Sequence, residues 1–262
     1  MSVRTESEQI FERYLDGQDI AWTRVADSGQ KRPDYKVERS DVTCFFEIKE
    51  FADPAVKPSG GFSPCPAIQE KILQARKQFK GYRQHCCALV LWNSKSIYRS
   101  LFVDVVASAA FGKFVDCKAQ SEGRLRTEPL TYRFSGAREL SPFQNTTISA
   151  IVILGRFQLN HLWIRMWEIL AKKEQSGEEI TPWVQFSVLE QLSAEQEATF
   201  SYEGTIRALI LENPYARVPF PGDLLAGPFD QRWRMAEGVF QLAAMGSELN
   251  QLRASGVPFV FL

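Results

Sequence analysis

The sequence contains no long hydrophobic run: nowhere do about 18 consecutive apolar residues occur, the length that a membrane-spanning helix needs. Its first ten residues, MSVRTESEQI, are mostly polar and include two glutamates, whereas a secretory signal begins with a basic stretch followed by an apolar one. We therefore expect a soluble chain with no secretory signal and no membrane partner.

Cysteine and histidine are scarce in this chain. The five cysteines are odd in number and include no CxxC pair, and the two histidines have no metal-ligand partners at useful spacing. These features favour reduced thiols over a disulfide framework and argue against histidine metal ligands. We expect the protein to be cytoplasmic.

Apolar residues are abundant. Hydrophobic residues make up 45% of the chain and aromatic residues 12%, which is enough for a large core and excludes intrinsic disorder. A length of 262 residues suits one large domain or two small ones. The 31 basic and 31 acidic residues cancel, so net charge alone does not indicate a nucleic-acid partner.

Helical and strand periodicities alternate along the first third of the chain. The pattern predicts a helix, three strands, a second helix and a fourth strand, at Glu6–Asp16, Ile20–Val25, Pro33–Val37, Val42–Phe51, Ala67–Lys80 and Cys86–Trp92. The segment Ala52–Pro66 contains four prolines and two adjacent glycines and is predicted to be a loop. We therefore expect an α/β protein with a central mixed sheet flanked by helices.

The remainder of the chain supports only coarser predictions. These are a helix within Ile97–Ala110, an irregular polar region at Gly112–Arg138, buried strands at Ser149–Leu154 and Thr205–Leu211, and a last long helix at Phe229–Ala254. Gly238 and Gly246 weaken the middle of that last helix. No linker separates two domains cleanly.

One segment groups charged residues in a pattern with chemical meaning. Pro33-Asp34 is followed, after twelve residues, by Glu47-Ile48-Lys49. Because side chains alternate along a strand, Glu47 and Lys49 point to one face of the sheet while Phe46 and Ile48 point to the other.

The loop of the hairpin decides whether Asp34 joins this group. A two-residue loop at Ser40–Asp41 sets Asp34 directly opposite Glu47, whereas a four-residue loop at Glu38–Asp41 sets it opposite Phe45, roughly 7 Å diagonally from Glu47. Either register brings the two carboxylates together.

Two carboxylates on a rigid hairpin that is open to solvent suit Mg²⁺ or Mn²⁺. Mg²⁺ keeps several waters and takes one or two protein carboxylates together with substrate phosphate oxygens. We therefore predict that Asp34 and Glu47 are metal ligands. Lys49 remains protonated beside them and would orient the attacking water or stabilise charge on phosphoryl oxygens.

The order helix, three strands, helix, strand, with PD...(D/E)xK across the second and third strands, resembles the PD-(D/E)XK nuclease superfamily over about Glu6–Trp92. The resemblance implies a restriction-endonuclease-like core in which Asp34 and Glu47 bind Mg²⁺ and Lys49 assists catalysis. It also implies a further acid on the first helix, Glu12 or its neighbour Glu8. Polar or basic residues near the start of the helix after the motif are implied as well, at Gln69 and Lys71. Residues 1–93 would form this core, and residues 94–262 would complete the sheet and the substrate cleft, in one compact domain.

Charge is unevenly distributed along the chain. Residues 71–138 contain thirteen basic and four acidic residues, a net charge of +9, and the remainder carries −9. A localised positive region beside a metal site suits a polyanionic backbone. We therefore predict Gln69, Lys71, Arg76 and Lys77 as nucleic-acid-binding residues, with DNA favoured over RNA as the partner.

These observations predict a Mg²⁺-dependent nuclease, an endonuclease in the favoured form, that hydrolyses nucleic-acid phosphodiester bonds. The alternatives are a catalytically inactive nucleic-acid-binding or interaction module on the same fold, or a structural subunit of a larger complex. A homodimer is left open.

Overall fold

The structure is a computed structural model that describes residues 4–26, 31–39, 42–51, 65–93, 101, 103–116, 131–135, 140–141, 144–156, 169–181, 184, 187–188, 205–236 and 239–254. The helices that concern the site and its support are α1 (Glu6–Asp16), α2 (Cys65–Gln78), α3 (Val103–Phe111) and α4 (Ser247–Ala254), and a 3-10 turn at Phe79–Gly81 follows α2. The strands are β1 (Trp22–Arg24), β2 (Tyr35–Arg39), β3 (Val42–Glu50), β4 (Cys86–Trp92), β5 (Lys113–Asp116), β6 (Thr131–Ser135), β7 (Ala150–Arg156), β8 (Ile206–Glu212), β9 (Gln231–Ala236) and β10 (Val239–Met245).

Within the described residues, these ten strands form one mixed sheet in the order β1-β2-β3-β4-β7-β8-β9-β10-β6-β5. Strands β3, β4 and β7 run parallel to one another at its centre, and β2 and β8 are antiparallel to this group on either side. The α/β class with a mixed sheet and flanking helices is therefore as predicted. Because β7 pairs with β4, the strands after residue 93 continue the sheet of the first four.

Helix α1 covers one face of the sheet. Thr5 begins it with a capping box, in which its side chain accepts a hydrogen bond from the Glu8 backbone and the Glu8 carboxylate accepts one from the Thr5 backbone. The apolar side of the helix packs on the inward side chains of β2, β3 and β4 in a core that includes Phe11, Phe46 and Ile48. Burial of this apolar stripe holds the helix in place.

Helices α2 and α3 cover the other face. Ile68 and Ile72 of α2 and Phe79 of the turn after it join a second core. To this core β3 contributes Phe45, and the residue after β3 contributes Phe51. Since side chains alternate along β3, Glu47 and Lys49 lie between these two phenylalanines on the α2 face. The charged pair therefore projects beneath a helix, within an otherwise apolar layer.

A buried carboxylate links α1 to the C-terminal strands. Asp230 accepts hydrogen bonds from the Tyr14 hydroxyl at 2.5 Å, the Ala208 backbone at 2.7 Å and the Gly227 backbone at 2.6 Å. A buried charge is tolerated only when hydrogen bonds replace its water. This network fixes the helix that flanks the hairpin to the part of the sheet built from the second half of the chain.

Several predicted elements are confirmed. Helix α1 and strand β4 have the predicted bounds, and β3 and α2 differ from prediction by at most two residues at each end. Cys44, Cys86 and Cys87 are free and buried, in agreement with reduced thiols that pack as small apolar side chains. Residues 52–64 of the predicted loop Ala52–Pro66 lie outside the described residues.

The predicted last helix at Phe229–Ala254 is wrong. The segment forms β9 and β10, which pair antiparallel with each other, and only Ser247–Ala254 is helical. Pairing of β9 with β8 buries Trp233 against the α3 side of the sheet, and this tertiary contact overrides the helical spacing of the apolar residues. The predicted irregular region Gly112–Arg138 is also wrong in part, because it contains β5 and β6.

The chain passes from β10 to α4 at Gly246, and the packing at this junction explains why a glycine occupies the position. The Gly246 backbone N–H donates to the Asp230 carbonyl at 2.8 Å. A Cβ added to Gly246 would lie 2.3 Å from the Gly227 carbonyl oxygen and from the backbone of Pro228. Only a residue without a side chain permits this close backbone approach.

We predict that Gly246→Ala lowers the free energy of unfolding by about 1–3 kcal/mol, because the backbone of residues 227 and 228 must move to admit a methyl group. Urea denaturation measures the change. Gly222→Ala is the matched control, since a Cβ at Gly222 meets nothing within 4 Å. Equal stability of the two variants would contradict this account of the junction.

Candidate functional site

The pairing of β2 with β3 sets the position of Asp34. Arg39 pairs with Val42 and Tyr35 with Phe46, which confirms the register that has a two-residue loop at positions 40 and 41. Positions 40 and 41 themselves lie outside the described residues. The same register extends to Asp34 opposite Glu47.

Asp34 stands directly before β2 and is held by backbone hydrogen bonds. Its N–H donates to the Phe46 carbonyl at 2.9 Å, and its carboxylate oxygen Oδ2 accepts the N–H of Ile48 at 2.7 Å. The carboxylate is therefore fixed against β3 between Glu47 and Lys49. This contact spans the hairpin and links the residue before β2 to the middle of β3.

Glu47 is only 1% exposed, so the expectation that this carboxylate is open to solvent is wrong, and such burial is unusual for a carboxylate. Lys49 Nζ donates to its oxygen Oε1 at 2.5 Å, and its other oxygen, Oε2, is buried without a hydrogen-bond partner. A buried charged oxygen without a partner is costly unless something positive reaches it. Oε2 of Glu47 is therefore the atom of the site at which a bound cation would be most favourable.

The electrostatics of the two carboxyls agree with this geometry. Burial, and then the nearby charge of Asp34, raise the pKa of Glu47 to about 7, against the lowering effects of Lys49 and Gln78. Burial also raises the pKa of Asp34, while the Ile48 N–H and Lys49 act in the opposite direction. Without a cation, the site therefore disfavours two negative charges at once.

Gln78, on the last turn of α2, lies against the Glu47 carboxyl and was not among the residues that the sequence pointed to. Its amide oxygen Oε1 is buried without a hydrogen-bond partner. Gln78 follows Lys71 by seven residues, so the two share one flank of the helix. The seven-residue spacing is therefore the sequence signal that could have predicted Gln78 as a site residue, provided that the Lys71 flank of α2 was known to face the sheet.

Lys71 lies on this flank, with its Nζ 5.8 Å from the centre of the Phe51 ring. Gln69 and Arg76 share a different flank of α2. At 100° per residue, this flank is turned roughly 160° around the helix axis from the flank that carries Lys71. Arg76 and Lys77 are exposed. Of the residues predicted to bind nucleic acid, Lys71 therefore contacts Phe51, which lies four positions beyond Glu47, whereas Arg76 and Lys77 face solvent.

Glu12 is buried on the α1 side of the sheet. Its Oε1 accepts hydrogen bonds from the Tyr35 hydroxyl at 2.8 Å and from Arg24 at 3.1 Å, and its Oε2 pairs with Arg4 at 2.9 Å. Both oxygens are thus engaged on the face opposite to Glu47. The role of Glu12 as a third acid stays a prediction, and these contacts favour a structural role.

Glu8, one turn earlier, is the α1 acid that acts on the site. Its charge raises the pKa of Asp34, whereas its own Oε1 pairs with Arg24 at 3.2 Å. Arg24 therefore links Glu8 to Glu12 and places a positive charge near Asp34, whose pKa it lowers. This network orients the first helix against the hairpin.

The donor set fits a hard cation. Within the described part of the chain, no group of three or more His, Cys, Asp or Glu side chains is arranged to hold a metal ion. Asp34 and Glu47 supply two carboxylates, and Mg²⁺ commonly takes one or two carboxylates as its protein ligands. Oε2 of Glu47, which is buried without a hydrogen-bond partner, is the oxygen that would face the ion.

Comparison of the chain with protein-family models, with curated proteins and with solved structures finds no match. Among the helices of the described residues, none combines the length and the apolarity needed to cross a bilayer. The chemistry of the site is therefore the basis on which a function is assigned.

We predict that the stability of the metal-free protein falls as the pH rises from about 4.5 to 8, because folded Glu47 holds its proton up to about pH 7 and the unfolded chain releases it near 4.5. Glu47→Gln removes this dependence, so relative to the variant the wild type loses on the order of 2–3 kcal/mol over that range. Urea denaturation in EDTA at several pH values measures it. Parallel curves for the two proteins would contradict the burial of this carboxyl.

Proposed function

We propose that this protein is a metal-dependent nuclease that hydrolyses nucleic-acid phosphodiester bonds, with Mg²⁺ or Mn²⁺ as cofactor and DNA as the favoured substrate. The observation that carries the proposal is the convergence of Asp34, Glu47 and Lys49 on one hairpin, with a buried Glu47 oxygen that has no partner. The proposed core is restriction-endonuclease-like, and the order of α1, β1 to β3, α2 and β4 supports it.

Asp34 and Glu47 would hold the ion, which when bound supplies Lewis-acid polarisation of the phosphodiester. The Ile48 N–H keeps the Asp34 carboxylate in one orientation, and α2 excludes water from the Glu47 side. Both effects strengthen electrostatic interactions at the site because they lower the local dielectric and reduce reorganisation.

Lys49 would stabilise the charge that develops on the phosphoryl oxygens, or orient the attacking water. In the structure it donates to Glu47, two residues away on the same face of β3. This contact occupies Oε1 and leaves Oε2, the oxygen that would face the ion, without a partner.

We predict that Asp34→Asn, Glu47→Gln and Lys49→Met each reduce nuclease activity by at least about a thousandfold, because each removes a group that acts on the reacting phosphate. The assay compares single-stranded, duplex and branched DNA with RNA, in Mg²⁺, Mn²⁺ and EDTA. Glu50→Gln is the matched control, since Glu50 lies on the same strand but accepts a hydrogen bond from the Ser7 backbone. Full activity of Glu47→Gln would refute the proposal.

Metal binding is tested separately from cleavage. We expect Mn²⁺ to raise the unfolding temperature of the wild type at pH 8 and to leave that of Asp34→Asn nearly unchanged. A ligand that binds only the folded state stabilises it by RT ln(1 + [L]/Kd), which vanishes when the site is lost. Equal shifts in both proteins would contradict a site at Asp34. Binding of nucleic acid without any metal-dependent product would favour the alternative, an inactive nucleic-acid-binding module on the same fold.

A further inference from the structure

A group of basic side chains lies apart from the carboxylate site. Its members are all exposed and follow one another along the second half of α2 and the turn before β4: Arg76, Lys77, Lys80 and Arg83. We call this group the α2 basic surface. The sequence contains no acidic residue between positions 71 and 100, so the group is not interrupted by negative charge from its own segment.

Ion pairing among the described residues distinguishes the α2 basic surface from other basic side chains of the protein. Among the described residues none of the four takes part in an ion pair, and Glu70, two helical turns before Lys77, is hydrogen-bonded to Gln74. Other basic residues of the protein are paired: Lys36 with Glu38, and Arg39 with Asp223 at 3.0 Å. Exposed cations outside ion pairs attract a polyanion and can replace the counterions condensed on it.

The surface is offset from the proposed cleavage site along the sheet. Glu47 pairs with Leu89, whereas β4 begins three residues earlier at Cys86, about 10 Å away along the strand. Arg83 precedes Cys86 by a further three residues. Helix α2 rises about 1.5 Å per residue, so the α2 basic surface extends from the helical turn that carries Gln78 to beyond Cys86, the first residue of β4.

We infer that the α2 basic surface is a second contact region for nucleic acid, which binds the phosphate backbone outside the cleavage site without reading its sequence. The inference rests on the proposed function for its choice of partner, since nucleic acid is the polyanion on which the carboxylate site would act. Four exposed cations on a helix flank and its following turn form a row of point charges, which suits backbone contacts rather than base contacts. Each contact releases a condensed counterion and makes binding dependent on salt.

The test uses two double variants, R76Q/K77Q and K80Q/R83Q, in the full-length protein. Fluorescence anisotropy measures binding of a labelled DNA duplex in EDTA, which prevents metal-dependent cleavage, between about 50 and 200 mM KCl. Each double variant is expected to weaken binding at the lowest salt at least about tenfold. Each is also expected to reduce the slope of log affinity against log salt by about two, since one phosphate contact accounts for about 0.9.

The matched control is K36Q/R39Q, which removes two cations that are already paired. It is expected to change the slope by much less than either test variant. Because all four positions of the α2 basic surface are exposed and glutamine is a good helix former, the test variants should remain folded, which thermal unfolding verifies. A slope equal to that of the wild type in both test variants overturns the inference.

Two further outcomes separate this inference from the proposed function. If the double variants lose salt-dependent duplex binding and the wild type cleaves no substrate, the contact region is upheld and the proposed nuclease activity is refuted. Metal-dependent cleavage with unchanged binding in the variants upholds the nuclease and refutes the contact region. Vesicles of phosphatidylcholine and phosphatidylserine form the last arm, and charge-dependent binding to them with none to DNA or RNA refutes nucleic acid as the partner.

Discussion

The antiparallel register of β2 and β3 is the constraint on which the candidate site depends. Tyr35 pairs with Phe46, and α1 buries Phe46 and Ile48 on one face, so Glu47 and Lys49 must project from the other. A slip of one residue would exchange these two sets and place charged side chains under α1. The same register allows the Ile48 N–H to hold the Asp34 carboxylate. The hydrophobic core of the hairpin therefore fixes the geometry of its polar side.

The structure keeps Glu47 in an environment that disfavours its charge. It lies beneath α2 and among phenylalanines, and one of its oxygens has no partner. A sheet built for stability alone would place an apolar side chain at this position, because an uncompensated buried carboxylate is costly. Groups of this kind, with pKa values shifted by burial and a specific charged neighbour, concentrate at functional sites. The proposed metal would offset this unfavourable burial, because a cation at Glu47 would balance its charge.

Local pattern was enough to predict much of the first 93 residues. The helical stripe of α1 and the apolar run of β4 are set by periodicity and by neighbouring turn residues, so both elements were predicted with their observed bounds. Pairing β2 with β3 through a short loop was predicted as one of two registers. The segment Phe229–Ala254 was mispredicted because its apolar spacing suits a helix, whereas the partners that make β9 and β10 strands lie elsewhere in the chain. Gln78 was missed for a similar reason, since its contact with Glu47 depends on how α2 crosses β3.

The sequence by itself determined that Asp34, Glu47 and Lys49 belong to one hairpin and that Glu47 and Lys49 share a face, because strand alternation and a short loop leave little freedom. It also determined the uneven distribution of charge along the chain. Only the tertiary structure decided which register holds and that Glu12 is engaged by Arg4, Arg24 and Tyr35. It also decided that α2 presents Gln78 to Glu47 and Lys71 to Phe51, while it turns Arg76 and Lys77 to solvent. These features depend on the packing of elements that are distant in sequence, and burial and partner choice follow from that packing rather than from local pattern.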